Sequence, residues 1–258
     1  MFEFLINADD LGLSEEVNEA IIYGFQQGFL DRTSLMVNMP FCDDAVRKAR
    51  QYGFDDKVGL HLNLVQGTPL TEPIKNTFLC NQQGVFDDRV MKKAIHRLFL
   101  GEKEKRAVKI EIDAQIEKYI GLNIGQKHID SHRHAHVAPS IFPLVVESFK
   151  QYNFCSMRLA RNIPKNEIGA LKRLLKSSIN RRILNLNVRN QEIVYFGSMT
   201  DVEKEIKNGS TNSNIEVTNI EVMVHPIMKN GKFCDAIENE SVEEWLSRNE
   251  NCICNTSL

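Results

Sequence analysis

The chain has 258 residues, of which 42% are hydrophobic and 26% are charged. These values exclude a chain that is disordered throughout, and the length suits a single α/β barrel, which commonly needs roughly 200–250 residues. The formal net charge of −2 excludes the basic field on which nucleic-acid binding usually depends. We therefore expect a single domain over residues 1–258 and no nucleic-acid partner.

The N-terminal residues and the cysteines indicate in which cellular compartment the protein is expected. Residues 2–8 read as a strand and lack the basic region and the cleavage site of a signal peptide. No apolar run approaches the roughly 20 residues that a membrane helix needs. The six cysteines form no C-x-x-C pair, so reduced thiols are the default. We expect a cytoplasmic protein with no membrane partner.

The predicted elements alternate between strands and helices. Strands are predicted over residues 2–8, 33–37, 58–65, 127–131, 154–159, 191–196 and 220–224. Helices are predicted from Ser14 to Gly28, over residues 43–52, 87–100, 104–120, 141–152, 165–187 and 201–207, and after Ser241. Residues 66–86 and 208–214 read as loops. The alternation favours an α/β fold, a distorted (β/α) TIM-like barrel, complete or incomplete, with about six or seven strands.

The first polar cluster is Asp9-Asp10, at the end of the first predicted strand. Two adjacent carboxylates raise each other's pKa, and a nearby cation reverses that effect. Capping of the helix that follows could explain one of these carboxylates, but not both. In a parallel barrel, functional residues lie at the carboxyl ends of the strands, so the pair indicates a cation site.

His61 is the second candidate. Strand alternation places His61 and Asn63 on one face, opposite the leucines between and beside them. The inner face of a barrel is normally apolar, so a histidine there needs a polar partner. Taken alone, His61 is better explained as a hydrogen-bonded core residue than as a ligand.

The third cluster holds four of the seven histidines of the chain within residues 128–136. Its polar residues recur at every second position, and an extended segment would place them on one face: His128, Asp130, His132, His134 and His136. Imidazoles and carboxylates are the usual ligands of zinc and its neighbours. The alternative is a histidine-rich strand edge that faces solvent.

The fourth candidate is His225, which precedes Pro226 at the end of a predicted strand. A histidine at this position could act as a general acid or contact the substrate.

A carboxylate and two imidazoles leave open positions on a metal for water and substrate. The metal makes hydroxide available near neutral pH, a spare carboxylate takes the water's proton, and a histidine protonates the leaving amine. Asp10, His61, His132, Asp9 and His225 match these parts of a metal-dependent hydrolase.

The same residues resemble the YdjC-type carbohydrate deacetylases, the family that includes chitooligosaccharide deacetylase. The matching segments are residues 7–14, 58–64, 67–70, 128–136 and 221–226. The resemblance implies a distorted barrel with one divalent ion, magnesium or zinc, on Asp10, His61 and His132. By analogy with the wider polysaccharide deacetylases, it makes Asp9 the base and His225 the acid.

The resemblance further implies a set of residues that contact the substrate or support the metal ligands. They are His128, Asp130, His134 and His136. Asn63 is added to this set because strand alternation places it on the same face as His61. The expected substrate is an N-acetylated sugar, in particular N-acetylglucosamine-containing oligosaccharides such as chitobiose, and a homodimer is one candidate assembly. Residue Leu11 replaces the usual phenylalanine of the family, and residues 160–215 match it only weakly.

Two other functions are compatible with these residues. One is a different barrel metallohydrolase, such as a phosphoesterase or a cyclic-amide hydrolase, which also uses His-x-His motifs. The other is a sugar-binding module without catalysis. A phosphoesterase would need more ligands and a second ion, and a pure binder would have no use for Asp9 beside Asp10.

Overall fold

The computed structural model describes residues 2–163, 170–187, 193–207 and 218–249. The loop predicted over residues 208–214 lies outside these ranges, as do the first residues of the helix predicted over 165–187 and of the strand predicted over 191–196.

Seven strands form the main sheet, in the order β5-β4-β3-β2-β1-β7-β6. They are β1 (Phe2–Leu11), β2 (Arg32–Leu35), β3 (Val58–Leu62), β4 (His128–Ser131), β5 (Ser156–Met157), β6 (Ile193–Ser198) and β7 (Thr218–Val224). The pairs β1 with β7, β3 with β4, and β6 with β7 are parallel. Every residue of β2, β3 and β4 is buried, as expected for parallel strands with both faces covered. The predicted α/β class, an incomplete (β/α) barrel, is confirmed.

Helices follow most of these strands. They are α1 (Glu15–Gln26), α2 (Cys42–Gln51), α3 (Glu72–Lys75), α4 (Ala94–Leu98), α5 (Glu102–Gly121), α6 (Phe142–Gln151), α7 (Ala170–Leu186), α8 (Met199–Lys207) and α9 (Val242–Asn249). The predicted caps are present, since Ser14 Oγ accepts the N–H of Val17 and Ser241 Oγ accepts that of Glu244, both at 3.3 Å. Within the described ranges, none of the helices has the length and apolar content needed to cross a membrane.

The chain divides into two compact units. The first unit comprises Met1–Asp9, Glu19–Thr33 and Ser156–Leu258, and the second comprises Asp10–Asn18 and Ser34–Cys155. The first unit fully buries Phe196 and Trp245. In the second unit, α5 buries Ile112 and Ile116 completely. A single domain over residues 1–258 stays a prediction.

The helix predicted over residues 87–100 is wrong over most of its length. Only Ala94–Leu98 is helical, and turns occupy most of the preceding residues. The carboxylate of Asp87 accepts the backbone N–H of Arg89 at 3.1 Å and also pairs with its guanidinium. Such local bonding from an aspartate competes with helical hydrogen bonds.

A small antiparallel sheet follows β7 and was not predicted. It consists of β8 (Pro226–Lys229), β9 (Lys232–Asp235) and β10 (Glu240–Ser241), in the order β10-β9-β8. Asn230 and Gly231 connect β8 to β9 with φ angles of 51° and 76°. Asn-Gly between two strands is a strong hairpin signal, so the sequence contained the information that this hairpin needs.

Candidate metal centre

Three polar side chains meet in the second unit at the ends of parallel strands. Asp10 is the penultimate residue of β1, His61 the penultimate residue of β3, and His132 directly follows β4. Asp10 Oδ1 lies 3.1 Å from His61 Nε2 and 2.8 Å from His132 Nδ1. The structure therefore brings together the three predicted metal ligands.

The charge of Asp10 suits a cation. Burial of its side chain disfavours ionisation, but hydrogen bonds and positive charge from His132 and His61 hold the pKa of Asp10 well below its ordinary value of 3.8. The residue also has a φ of 69°, a left-handed conformation that is uncommon outside glycine. Asp10 is therefore a buried carboxylate that points at two imidazoles.

His61 lies between two carboxylates. Its Nδ1 is 2.7 Å from Asp130 Oδ1 and 3.0 Å from Ser34 Oγ, and Ser34 donates a hydrogen bond of 2.8 Å to Asp130 Oδ2. A neutral ring that donates its Nδ1 proton to Asp130 directs the Nε2 lone pair towards Asp10. In that tautomer a bound cation would lie between the two atoms, and a carboxylate behind a ligating imidazole is the usual support of metal sites.

The donor set fits a single divalent ion. The ligand atoms of Asp10, His61 and His132 all lie within 4.8 Å of one another, and all three residues are largely buried. One carboxylate oxygen and two imidazole nitrogens leave coordination positions for water and substrate. These residues could therefore hold one catalytic metal ion.

Asp9 has a different partner, within the first unit. Arg158 Nη1 and Nη2 donate to Asp9 Oδ2 and Oδ1 at 2.8 and 2.7 Å, and Arg158 Nε donates to Glu221 Oε1 at 2.6 Å. Asn7 Nδ2 donates to Asp9 Oδ1 at 2.9 Å. The side chain of Arg158 is fully buried and its guanidinium lies 4.9 Å from the ring centroid of Phe196.

Arg158 and Glu221 were missed as site residues in the sequence. Glu221 lies in the segment 221–226 that resembles the family, but nothing marked it apart from its neighbours. Arg158 directly follows β5, the position where functional residues are expected in a barrel, and this was the available signal. Arg158 lies just before residues 160–215, which resemble the family only weakly.

His225 lies in the first unit, between β7 and β8. Its backbone N–H donates to Asp235 Oδ2 at 2.6 Å, and its ring Nδ1 lies 3.4 Å from the same oxygen. Burial raises the pKa of Asp235, but hydrogen bonds from His225 and Glu238 outweigh burial and hold the pKa below its ordinary value of 3.8. Asp235 belongs to the unpredicted hairpin, so sequence reasoning missed this partner.

The strand predicted over residues 127–131 is present as β4, and the extended conformation ends there. His132–Val137 forms 3₁₀ turns, and Arg133 and His134 have φ angles of 52° and 54°. The polar residues therefore do not share one face. His136 turns inward, where its Nδ1 lies 2.6 Å from Ser131 Oγ in a buried contact.

His128 and Asn63 lie in the second unit, where each contacts neighbouring parts of the fold. His128 is buried beside Gly59, where an added Cβ would lie 3.2 Å from His128 Cδ2. Asn63 forms a turn, since its Oδ1 accepts the backbone N–H groups of Val65 and Gln66 at 3.1 Å each. Roles for these residues in substrate binding stay predictions.

Comparison with known proteins identifies the family. The family described as YdjC-like protein matches residues 3–251. A carbohydrate deacetylase of Clostridium beijerinckii is 30% identical over 86% of this chain and 80% of its own length. A carbohydrate deacetylase of Vibrio cholerae is 36% identical over 64% of this chain, which spans 58% of that relative's length.

A solved structure supports the fold. A protein of Enterococcus faecalis, described as a suggested cellobiose-phosphate cleavage protein, superimposes with a TM-score of 0.69 at 18% identity, over 96% of this chain and 94% of its own. At this identity the likeness bears on the fold alone. The profile match over almost the whole chain shows the family, and the chain belongs to the YdjC-like protein family.

Proposed function

We propose that the chain is a metal-dependent carbohydrate deacetylase that hydrolyses the N-acetyl group of N-acetylglucosamine-containing oligosaccharides such as chitobiose. The observation that carries the proposal is the convergence of Asp10, His61 and His132 on one point in the second unit. The relatives named carbohydrate deacetylases support the reaction class.

The proposed ligands are Asp10, His61 and His132. When bound, a divalent ion there lowers the pKa of a water molecule towards roughly 7 and stabilises the oxyanion that forms on the acetyl carbon. Asp130 and Ser34 keep the ring of His61 oriented, because both hydrogen-bond to its Nδ1 side.

Asp9 is the proposed general base. Arg158 holds both of its oxygens, so the carboxylate cannot rotate freely and is ready to accept the proton of the attacking water. His225, held by Asp235, is the proposed general acid that protonates the departing amine. The water oxygen bonds to the acyl carbon, the C–N bond breaks, and acetate and the free amino sugar are the products.

The finer assignments remain part of the proposal. The ion is magnesium or zinc, and two imidazole ligands favour zinc, since magnesium prefers oxygen ligands and near-octahedral geometry. We propose a cytoplasmic enzyme, with a homodimer as the candidate assembly. The predicted contacts of His128, His134, His136 and Asn63 to substrate or to the ligands belong to the same proposal.

The test is acetate release from N-acetylglucosamine, chitobiose and longer oligomers, using chelator-treated protein reloaded with zinc or magnesium. We expect activity only with metal, and a loss of about 10²–10⁴-fold in Asp9→Asn, the range of general acid–base catalysis. Metal content separates the chemistry from binding, because Asp9→Asn should still hold one ion per chain.

Three outcomes would contradict this function. Sugar binding without turnover under either metal would favour a binding module. Two ions per chain with release of phosphate from phosphate esters would favour a phosphoesterase. Full activity in the chelator-treated protein would remove the metal from the reaction.

A further inference from the structure

A basic cavity of about 420 Å³ lies along one flank of α7, within the first unit. Three cations line it: Arg173, Lys176 and Arg181. The other polar groups in its wall include the amides of Asn162, Asn180 and Asn185, and no carboxylate is among its lining residues in the described part of the chain. The volume lies in the range of sites for small ligands.

Two of the three cations of this cavity have no counter-charge among the described residues. Helix α7 contains five basic residues and no acidic residue. Within the described ranges, Arg173 and Arg181 form neither a hydrogen bond nor an ion pair. Lys176 Nζ donates to the backbone carbonyl of Arg161 at 2.7 Å. Nearby Arg161 differs, because its guanidinium pairs with Asp201.

The wall of the cavity is held in place by two asparagines of the α7 region. Asn180 accepts the N–H of Ala160 at 2.7 Å and donates to its carbonyl at 2.9 Å. Asn187 makes the same pair of bonds to Met157, at 2.8 and 3.0 Å. Because Asn180 and Asn187 are buried, these bonds fix the helix that carries the cations against residues 157–160.

We propose that this cavity binds a phosphate monoester dianion, the phosphoryl group of a small phosphorylated metabolite. Arginine guanidinium groups bind phosphate oxygens through two parallel hydrogen bonds, and a lysine adds a third positive charge. A neutral sugar has no need of three cations, and a divalent metal would be repelled by them. The site is additional to the proposed deacetylase chemistry and needs neither the metal nor the residues assigned to it.

The experiment is calorimetric titration of the chelator-treated full chain with glucosamine 6-phosphate, inorganic phosphate and glucosamine. We expect the phosphorylated compounds to bind and glucosamine not to bind. Arg173→Gln and Arg181→Gln should each weaken binding by at least about tenfold, the loss expected for a hydrogen bond between charged groups. Lys172→Gln is the matched control, since Lys172 is an exposed cation next to Arg173 that does not line the cavity.

Affinity should also rise with pH around 6, where phosphate monoesters take up their second charge. Tighter binding of glucosamine 6-phosphate than of phosphate identifies the ester as the ligand, and equal binding identifies the phosphoryl group alone. The proposal fails if neither compound binds at about 10 mM, if glucosamine binds as well as its phosphate, or if the arginine variants bind no more weakly than Lys172→Gln. Both arginines are exposed, so their variants should fold normally.

Discussion

Asp9 and Asp10 are neighbours in the sequence, but their carboxylates have opposite surroundings. Arg158 matches the charge of Asp9 through two hydrogen bonds in a buried site of the first unit. Within the described part of the chain, Asp10 pairs with no guanidinium or ammonium group, and instead faces the imidazoles of His61 and His132 in the second unit. The negative charge of Asp9 is therefore balanced by an arginine of the protein itself. Asp10 instead lies among side chains that could bind an added cation.

The largest effect is expected from removing Asp10. In Asp10→Ala, the metal content should fall from one ion per chain to below about 0.1, and deacetylation should drop by more than about 10³-fold, because Asp10 is a proposed ligand of the ion that would activate the attacking water. Elemental analysis after dialysis and acetate release measure both quantities. Asp9→Asn is the control, and loss of its metal would break the distinction between the two carboxylates.

Arg158→Met should destabilise the chain by about 3–5 kcal/mol, because it leaves Asp9 and Glu221 as buried charges without a counter-ion. Urea unfolding at neutral pH measures the change. Arg248→Met is the matched control, since Arg248 also pairs with two carboxylates, Glu203 and Glu240, but is half exposed. The control should lose less than about 1 kcal/mol.

A second substitution sharpens this test. Adding Asp9→Asn to Arg158→Met removes one of the two unmatched charges and should recover part of the lost stability. If the loss of unfolding free energy in the double variant equals the sum of the losses in the two single variants, the ion pair contributes through packing alone. The charge argument for Asp9 would then be wrong.

Asp130→Asn should weaken metal affinity by about 10–100-fold without abolishing it, because the carboxylate behind a ligating histidine orients the ring and raises its basicity. Competition with a coloured chelator gives the dissociation constant. Asp113→Asn serves as control, since Asp113 lies in the same unit and its carboxylate accepts hydrogen bonds from Lys109 and Ser148. Equal losses in both variants would contradict the role of Asp130.

The smallest effect concerns Asp235. Its folded pKa lies below the ordinary 3.8, so its ionised form stabilises the fold above that pH, and this stabilisation is lost as the pH falls through the folded pKa. Asp235→Asn should therefore lower the free energy of unfolding by about 1–2 kcal/mol at pH 7, and the difference from wild type should shrink below pH 4. Exposed Asp56→Asn is the control, and it should change the free energy of unfolding at pH 7 by less than about 0.5 kcal/mol.

The sequence was sufficient to predict the barrel class and the convergence of the three ligands. Hydrophobic alternation located the strands, and Asp10, His61 and His132 all stand where strands end, as do Arg158 and His225. Parallel strands bring their carboxyl ends to one edge of a sheet. Residues at these ends can therefore be predicted from the sequence to lie close together.

The partners of these residues could not be predicted in the same way. The sequence around Ser34, Glu221 and Asp235 contains no motif that predicts their hydrogen-bond partners. Only the fold brings these residues close to those partners. The regular spacing of histidines in residues 128–136 was misleading, because periodicity says nothing about a left-handed turn. The hairpin of β8 and β9 was missed although its Asn230-Gly231 turn was visible.

The turn after His132 restricts which amino acids can occupy it. Arg133 and His134 adopt consecutive left-handed conformations, which β-branched residues and proline avoid and which glycine and asparagine accept readily. A library randomised at these two positions and selected for folded protein should return glycine, asparagine and aspartate and be depleted of valine, isoleucine, threonine and proline. The choice of amino acid at Arg133 and His134 is therefore restricted by backbone conformation as well as by side-chain chemistry.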